Sequence, residues 1–341
     1  MSKKMTMQEA ITEAKRCLNC SRPLCRTGCP IENNIPEFVR ALSEGNIGNA
    51  YETIAERSNL PAICGRVCAH EKQCEAHCIL AKKNSAISIG SLEMFIADFA
   101  HEYGLNPVPP STGKRGKVAV IGSGPAGLTV AGDLAKMDFA VTIFEGQPEP
   151  GGVLLFGIPE FRLEKEVVRR EINILRKLGV EIVTEKLIGP DMTVDDLFAQ
   201  GYDAIFMGTG TALPRTLDIP GQELSGILTA TYFLKVVVLA DSGKLDKKEV
   251  LIHDDDDVVV IGAGNVAIDA ARTAIRRTSG NVTVLYHKTA EDMTCLPSEY
   301  EAALKEGVQF KFLKKPLGYL NKKQMRALTN TRAKASPADE T

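Results

Sequence analysis

Two stretches of the chain share one order of hydrophobic and polar positions: a short apolar run, a glycine-rich turn, an amphipathic stretch and a second apolar run. The first stretch runs from KVAVIG (117–122) to AVTIFE (140–145). The second runs from DVVVIG (257–262) to VTVLYHK (282–288). Apolar runs that alternate with helical periodicity predict βαβ units with parallel strands. A further strand, YDAIFM, is predicted before the glycine turn GTG.

The first 110 residues follow a different pattern, in which short helical stretches separate cysteine-rich loops. Apolar residues at helical spacing predict helices over EAITEAKRC, IPEFVRALSEGN and IGSLEMFIADFAHEYG. The stretch NPVPPSTGKRGK is then typical of a linker. We therefore predict an α/β protein with a helical domain at 1–110 and two Rossmann-like units, at 111–225 and 226–341.

The composition is that of an ordinary globular protein. The 341 residues are 44% hydrophobic and 25% charged, which excludes disordered, collagen-like and coiled-coil chains. The net charge of -2 gives no basic excess for nucleic acid or for an anionic membrane. No apolar run approaches the roughly 18 residues that span a bilayer. The amino-terminal residues contain no apolar signal-peptide core, so we expect a cytoplasmic protein.

Cysteine is the unusual residue in this chain, because eight of the nine cysteines lie within residues 17–78. They form two groups, CLNCSRPLCRTGCP and CGRVCAHEKQCEAHC. In a reducing compartment, crowded thiols are better explained as metal ligands than as disulfides. The candidate ligands are Cys17, Cys20, Cys25, Cys29, Cys64, Cys68, Cys74 and Cys78.

The spacing of these cysteines favours two [4Fe–4S] clusters with crossed ligation. A cysteine just before proline, like Cys29, serves the other cluster in two-cluster ferredoxins. One cluster would use Cys17, Cys20, Cys25 and the distant Cys78, and the other Cys29, Cys68, Cys74 and a further ligand near Cys64. Zinc is the alternative, but it favours paired C-x2-C spacings, and unligated thiols are a third possibility. Cys295 is expected to be an ordinary thiol. His70 and His77 could ligate a metal, but lone histidines in such loops are more often solvated, and we expect that here.

The turn Gly122-Ser-Gly124-Pro-Ala-Gly127 predicts a dinucleotide site. The first glycine permits a tight turn, the second lets a pyrophosphate approach the backbone, and the third allows close helix–strand packing. Pro125 and Ala126 then begin the helix, whose amino terminus would face the phosphates. Glu145 ends the next strand, where a carboxylate would bind ribose hydroxyls.

The second turn repeats the motif with Gly262, Gly264 and, in the third place, Ala267. Asn265 and Val266 lie between them. The following strand ends in His287 and Lys288 instead of an acid, which favours the 2′-phosphate of NADP(H) over NAD(H). Two dinucleotide sites beside two clusters indicate bound flavin, exchangeable nicotinamide and single-electron transfer through iron–sulfur centres.

At these residues the chain resembles the small (beta) subunit of NADPH-dependent glutamate synthase. Relatives of that family include an NADH-dependent ferredoxin:NADP oxidoreductase and the amino-terminal half of dihydropyrimidine dehydrogenase. The resemblance covers residues from about 10 to 320, and its most specific stretches are CLNCSRPLCRTGCPIENNIPEF, CGRVCAHEKQCEAHC, AISIGSLE, VAVIGSGPAGL, GGVLLFGIPEFRL, MGTGTALPR and VVVIGAGNVAIDAAR.

The resemblance implies further site residues. Those of GGVLLFGIPEFRL that would bind FAD are Gly152, Leu155, Gly157, Ile158 and Arg162. Those of the turn beside the flavin nucleotide are Gly208, Thr209 and Gly210. In some relatives the residue that matches Glu93 ligates a cluster, so either Glu93 or Cys64 would complete the second cluster.

The chain also departs from the family pattern in two places. His287–Lys288 stands where members commonly have a basic pair, which weakens the preference for NADP(H). No stretch after PLGYL matches the Gly-Asp motif and final helix with which the family closes its flavin domain. We therefore expect a carboxy-terminally incomplete second unit and weak FAD retention, or completion by a partner chain.

The family implies an iron–sulfur flavoprotein oxidoreductase subunit. It would pass electrons from NAD(P)H through FAD and two [4Fe–4S] clusters to the large catalytic subunit of glutamate synthase or another electron-acceptor protein. The alternatives are a subunit of the NADH/ferredoxin/NADP transhydrogenase type and a non-catalytic electron-transfer module. The residues assign no catalytic acid, base or nucleophile.

Overall fold

The computed structural model describes residues 4–83, 85–105, 110–211 and 216–321 of the chain. The chain divides into two compact units, Met1–Ala212 and Leu213–Thr341. Helices and parallel strands form both units, which confirms the predicted α/β class. Residues 106–109 of the predicted linker lie outside the described part, and the boundaries at 110 and 225 stay predictions. None of the described helices is long and apolar enough to cross a membrane.

The amino-terminal part of the first unit is helical, as predicted. Its α-helices are α1 (Met7–Ala14), α2 (Leu24–Thr27), α3 (Ile35–Ser43), α4 (Ile47–Ala55), α5 (Pro61–Val67) and α6 (Ile89–Glu102). Two 3-10 turns cover His70–Lys72 and Ile79–Lys83. The apolar faces of α3, α4 and α6 form one core, with Phe38, Ile54 and Leu92 fully buried. This core supports the loops that carry the cysteines.

Helix α5 was not predicted, and it places part of the second cysteine group on regular structure. Pro61 begins the helix, where its missing N–H is not needed. Gly65 allows α6 to approach, because a Cβ atom there would lie 2.5 Å from the backbone nitrogen of Met94. The prediction that the cysteines lie in loops is therefore wrong for Cys64 in α5 and for Cys25 in α2.

The first βαβ pattern forms a four-stranded parallel sheet in the order β3-β2-β1-β4. Its strands are β1 (Lys117–Ile121), β2 (Ala140–Phe144), β3 (Glu181–Val183) and β4 (Ala204–Met207). The helices are α7 (Pro125–Lys136), α8 (Val153–Phe156), α9 (Lys165–Lys177) and α10 (Val194–Ala199). Strand β1 is one of the two inner strands of this sheet and is buried from its second residue onward. The glycine turn that follows its carboxyl end is therefore attached to a buried strand.

Polar contacts join the helical part to the sheet part within the first unit. The Asn59 amide donates hydrogen bonds to the Thr129 carbonyl (3.0 Å) and to Asp133 (2.6 Å). The Ala62 backbone N–H donates to the Glu171 carboxylate (3.2 Å) on α9. Hydrogen bonds need defined geometry, so these contacts fix the start of α5 relative to both α7 and α9.

The second unit contains the other βαβ pattern, in a three-stranded parallel sheet with the order β5-β6-β7. Its strands are β5 (Val258–Ile261), β6 (Val282–Leu285) and β7 (Gln309–Lys311). Its helices are α11 (Ala230–Asp241), α12 (Asn265–Ala274) and α13 (Pro297–Lys305), with 3-10 turns at Lys247–Glu249 and Ala290–Asp292. Helix α12 packs on the sheet through buried Ile268 and Ala271.

Candidate cofactor sites

The first cysteine group and one cysteine of the second line a common pocket. Cys17, Cys20 and Cys25 come from the segment around α2, and Cys78 comes from the residue before the 3-10 turn at Ile79–Lys83. The remaining lining residues are mostly apolar and include Val39 of α3. The structure therefore brings together the four residues of the first predicted cluster, including the distant one.

Burial raises the pKa of two of the thiols in this pocket. It raises the pKa of Cys17, and it raises the pKa of Cys25 to about 11. The nearby Cys20 and Cys78 raise both pKa values further. Such thiols are protonated at neutral pH and become thiolate ligands when a metal centre supplies positive charge. The pocket thus suits a cationic group that binds several thiolates.

A second set of candidate ligands lies around α5 and α6. The Cys64 and Cys68 thiols interact through a hydrogen bond, which together with burial raises the pKa of Cys64. Burial also raises the pKa of Cys74, with contributions from the nearby Glu93 and Cys29. Burial and the adjacent Cys64 raise the pKa of Glu93. Both Cys64 and Glu93 therefore lie at this site, and the choice between them stays open.

The arrangement of the thiols bears on the choice between zinc and iron–sulfur. Within the described residues, no three His, Cys, Asp or Glu side chains are grouped so as to hold a metal ion. A single zinc ion needs its thiolates at about 2.3 Å from one point. A [4Fe–4S] cluster instead takes four cysteines around a larger body. Four thiols distributed around one pocket fit the cluster better than the single ion.

The prediction that both loop histidines are solvated is wrong for His70. Its side chain is buried, and burial lowers its pKa to about 4. Gly90 makes this possible, because a Cβ atom there would lie 2.4 Å from the imidazole ring. His77 is exposed as expected, with Nδ1 2.6 Å from the Gln73 carbonyl.

The first glycine turn is closely packed on two sides and open on the third. A Cβ atom on Gly127 would lie 1.9 Å from the Gly122 carbonyl oxygen, and one on Gly122 would lie 2.5 Å from the Gly208 carbonyl oxygen. A Cβ atom on Gly124 would meet nothing within 4 Å. The open face lies at the start of α7, where Pro125 and Ala126 are exposed. A phosphate fits there against the helix amino terminus.

Ser123 connects the glycine turn to the acid at the end of β2. Its backbone N–H donates to Glu145 (3.0 Å), and its hydroxyl donates to the same carboxylate. The hydroxyl also accepts a hydrogen bond from the Gly151 N–H (2.9 Å). Glu145 is thus held beside the turn, as a ribose-binding carboxylate requires. Sequence reasoning missed Ser123, whose only signal was a hydroxyl inside the motif.

The segment after Gly151 folds back onto the same turn. Gly152 has a φ of +51°, and a Cβ atom there would lie 2.7 Å from the Cα atom of Gly124. Leu155 in α8 is buried, and Gly157 ends that helix. Ile158 and Arg162 are half-buried.

Lys165 fixes the shape of this segment and was also missed by sequence reasoning. Its buried ammonium group donates to the Leu154 carbonyl (3.1 Å) and to the Ile158 carbonyl. No local pattern identifies this lysine, because the two carbonyls that it binds come together only after α8 has folded.

The turn after β4 completes the group at this sheet edge. The Gly208 N–H donates to the Ile121 carbonyl (2.8 Å), so the turn sits beside the glycine motif. Thr209 and Gly210 are exposed next to it. Three turns, at 122–127, 151–152 and 208–210, therefore come together at the carboxyl ends of β1, β2 and β4, the usual position of a nucleotide in such sheets.

The second glycine turn repeats the order of the first, with more space around its first glycine. Gly262 has a φ of +114°, and Gly264 is the N-cap of α12. The Asn265 side chain accepts a hydrogen bond from the Leu296 N–H (3.0 Å). Val266 is exposed, and the Cβ atom of Ala267 lies 3.9 Å from where a Cβ on Gly262 would be.

His287 and Lys288 follow β6 and are exposed. The Lys288 carbonyl accepts a hydrogen bond from the Leu313 N–H (3.2 Å), which fixes the backbone and leaves the ammonium group at the surface. His287 and Lys288 thus lie after the second strand of the unit, where a Rossmann unit recognises the ribose.

The chain is similar to known proteins in both its amino-terminal and its carboxy-terminal part. Residues 1–105 match the family described as dihydropyrimidine dehydrogenase domain II, 4Fe-4S cluster. Residues 116–338 match the pyridine nucleotide-disulphide oxidoreductase family. The fold is similar to that of a variant of FprA from Mycobacterium tuberculosis, with a TM-score of 0.50 and 20% identity over 61% of this chain and 62% of that one.

Two curated relatives have the same name. The chain is 37% identical over 335 residues to the glutamate synthase (NADPH) small chain of Halomonas elongata, covering 98% of this chain and 71% of that protein. It is 37% identical over 313 residues to the small chain of Escherichia coli K12, covering 91% of this chain and 66% of that protein. The chain therefore belongs to the glutamate synthase (NADPH) small-chain family, and it is an NAD(P)H-dependent iron–sulfur oxidoreductase built on the pyridine nucleotide-disulphide oxidoreductase fold.

Proposed function

We propose that this chain passes electrons from NADPH through FAD and two [4Fe–4S] clusters to a partner protein, the large chain of glutamate synthase. The observation that carries the proposal is that both thiol sets and the turn at 122–127 lie in one compact unit, Met1–Ala212. Bound flavin accepts a hydride and releases electrons singly, which nicotinamide cannot do. All nine cysteines are free thiols, a state that persists in a reducing compartment such as the cytoplasm.

The residues of the chain would bind and orient the two nucleotides. The Gly124 backbone and the amino terminus of α7 would hold the FAD pyrophosphate. Glu145, positioned by Ser123, would accept hydrogen bonds from the ribose hydroxyls. In the second unit, His287 and Lys288 would bind the 2′-phosphate of NADPH.

Anaerobic purification tests the clusters directly. We expect about eight iron atoms per chain, since two [4Fe–4S] clusters carry four each. Cys17→Ala and Cys78→Ala should lose the same electron paramagnetic resonance signal, and Cys29→Ala and Cys74→Ala should lose the other. Cys295→Ala, buried in the second unit, is the matched control. Stoichiometric zinc, or a Cys78→Ala spectrum identical to that of Cys74→Ala, would contradict the proposal.

Electron entry is tested on the same holoprotein. NADPH should bleach the flavin absorbance and then reduce the clusters, and Gly124→Ala should abolish the flavin response. Comparing Cys64→Ala with Glu93→Gln identifies the remaining ligand, because only the loss of a ligand should change the spectrum of the second cluster. A flavin that NADPH leaves oxidised would refute electron entry from this coenzyme.

A further inference from the structure

Exposed aliphatic side chains surround the first thiol pocket. Leu18, Leu24 and Ile79 line the pocket, yet they are 58%, 49% and 43% exposed. We call these three residues the apolar collar. Single exposed leucines are ordinary, but three around one candidate redox site form a local apolar surface.

The segments that carry the apolar collar are strongly basic. Residues 15–31 and 79–83 contain six basic residues and no acidic one, although the whole chain has a net charge of -2. The six are Lys15, Arg16, Arg22, Arg26, Lys82 and Lys83. Arg16 is paired with Glu13 at 2.6 Å. The other five each lie within four residues of a member of the apolar collar in the sequence, and we call them the basic rim. An apolar centre with a polar rim is the usual anatomy of a protein interface.

We propose that the apolar collar and the basic rim form the docking surface for an electron-accepting protein whose own redox site lies in an apolar patch edged by carboxylates. The proposal rests on the proposed function, because the first thiol pocket must hold a cluster for electrons to leave there. Opposite charges steer such partners together and orient them. The collar then excludes water between the two redox sites.

The charge of the surface argues against a second copy of this chain as the occupant. A two-fold interface presents the same patch from both subunits, so two basic rims would face each other. Like charges placed together cost free energy and suppress association. A partner with carboxylates therefore fits this surface, and a second copy does not.

The test measures binding of two protein probes to the iron-loaded chain. One probe is an acidic plant-type ferredoxin, and the other is cytochrome c, a basic electron carrier. Ferredoxin should bind, and its affinity should fall as the salt concentration rises. The double variant Arg22→Glu/Lys82→Glu should weaken ferredoxin binding at least tenfold and should gain affinity for cytochrome c. Leu24→Ser should weaken ferredoxin binding severalfold at equal iron content.

The matched controls lie on α13 of the second unit, where Leu304 is also exposed. Lys305→Glu and Leu304→Ser should leave ferredoxin affinity unchanged. The proposal is overturned if the double variant binds ferredoxin as the parent chain does, or if the variant only abolishes self-association. It is also overturned if anionic lipid vesicles compete fully with ferredoxin for the same residues.

Measuring ferredoxin affinity distinguishes a failure of the docking surface from a failure of the proposed electron entry from NADPH. Ferredoxin affinity is measured without NADPH, so a chain that binds ferredoxin through the basic rim but is not reduced by NADPH refutes only electron entry. A chain that NADPH reduces fully, yet that shows no salt-dependent ferredoxin binding, refutes only the docking surface.

Discussion

The two glycine turns share one motif but differ in how tightly the protein surrounds them. At the first turn, added Cβ atoms on Gly122 and Gly127 would lie 2.5 and 1.9 Å from backbone oxygens. At the second, the nearest atom to an added Cβ on Gly262 is 3.9 Å away. Strand β1 has described neighbours on both sides, whereas β5 pairs with β6 alone among the described strands.

The difference separates two uses of one motif. The first turn is held by Ser123, Glu145 and two further turns, so its shape is set before any ligand binds. A preorganised site of this kind suits a cofactor that stays bound. The second turn is packed less tightly around its first glycine and is followed by the exposed His287 and Lys288, which suits a coenzyme that exchanges.

The largest effect is expected from the third position of each motif. Gly127→Ala places a methyl group 1.9 Å from the Gly122 carbonyl and should cost about 3 kcal/mol in the free energy of unfolding. The mirror change Ala267→Gly removes a methyl group without creating a clash, and should cost about 1 kcal/mol as a helical glycine. Urea unfolding of both variants measures the difference. Equal costs would show that the two turns are packed alike.

The next effect concerns the acid beside the first turn. Glu145→Gln removes the charge that we expect to bind the FAD ribose, and hydrogen bonds to charged groups contribute about 1.5–3 kcal/mol. FAD affinity should therefore fall about ten- to a hundredfold. Equilibrium dialysis with FAD measures it, and the exposed Glu185→Gln is the control. Unchanged affinity would mean that Glu145 only supports Ser123.

A smaller effect is expected at the second turn. Lys288→Glu puts a carboxylate where we expect the 2′-phosphate of NADPH. The ratio of kcat/KM for NADPH to that for NADH should fall about tenfold, the equivalent of 1.4 kcal/mol. Steady-state dye reduction with both coenzymes checks this, with Lys305→Glu as a control of equal charge change. A ratio that does not change would remove Lys288 from coenzyme recognition.

The smallest effects are opposite responses of the two units to pH. Burial raises the pKa of Glu171 to about 7, so its contribution to stability is present below about 4.5 and is lost as pH rises toward 7. Burial alone would raise the pKa of Glu306, but hydrogen bonds from Arg272 and Arg276 lower it to about 2. Its contribution is present above about 4.5 and is lost as pH falls toward 2.

Two variants separate these responses. Glu171→Gln should stabilise the chain at pH 8, where the buried carboxylate is ionised, and have little effect near pH 4.5. Glu306→Gln should cost about 1 kcal/mol at pH 7, after allowance for solvent screening, and nothing near pH 2. Denaturant titrations across this range test both signs. The same sign for both variants would contradict the contrast.

Elements with continuous local patterns could be predicted from the sequence, whereas elements that depend on long-range contacts could not. The strands around the first turn could be predicted, because their apolar runs and the glycine motif are continuous in sequence. Helix α5 could not, since its seven residues depend on the contact between Gly65 and Met94. Helix α4 was predictable but missed: Ile47, Tyr51 and Ile54 have helical spacing.

The same distinction applies to the candidate sites. Cysteine spacing grouped Cys78 with Cys17, and the structure places both in one pocket. The burial of His70 depends on Gly90, twenty positions later in the chain, so no local pattern reveals it. The metal and nucleotide roles of these residues stay predictions until ligands are measured.

The hydrogen bonds from Asn59 and Ala62 to the sheet part have a consequence for protein engineering. The composition changes near residue 110, so truncating the chain there would be the obvious way to obtain a separate electron-transfer domain. That truncation would remove Asp133, which accepts a hydrogen bond from Asn59, and Glu171, which accepts one from the Ala62 N–H. The piece that can be grafted onto another protein is therefore residues 1–212, with strands β1 to β4 included.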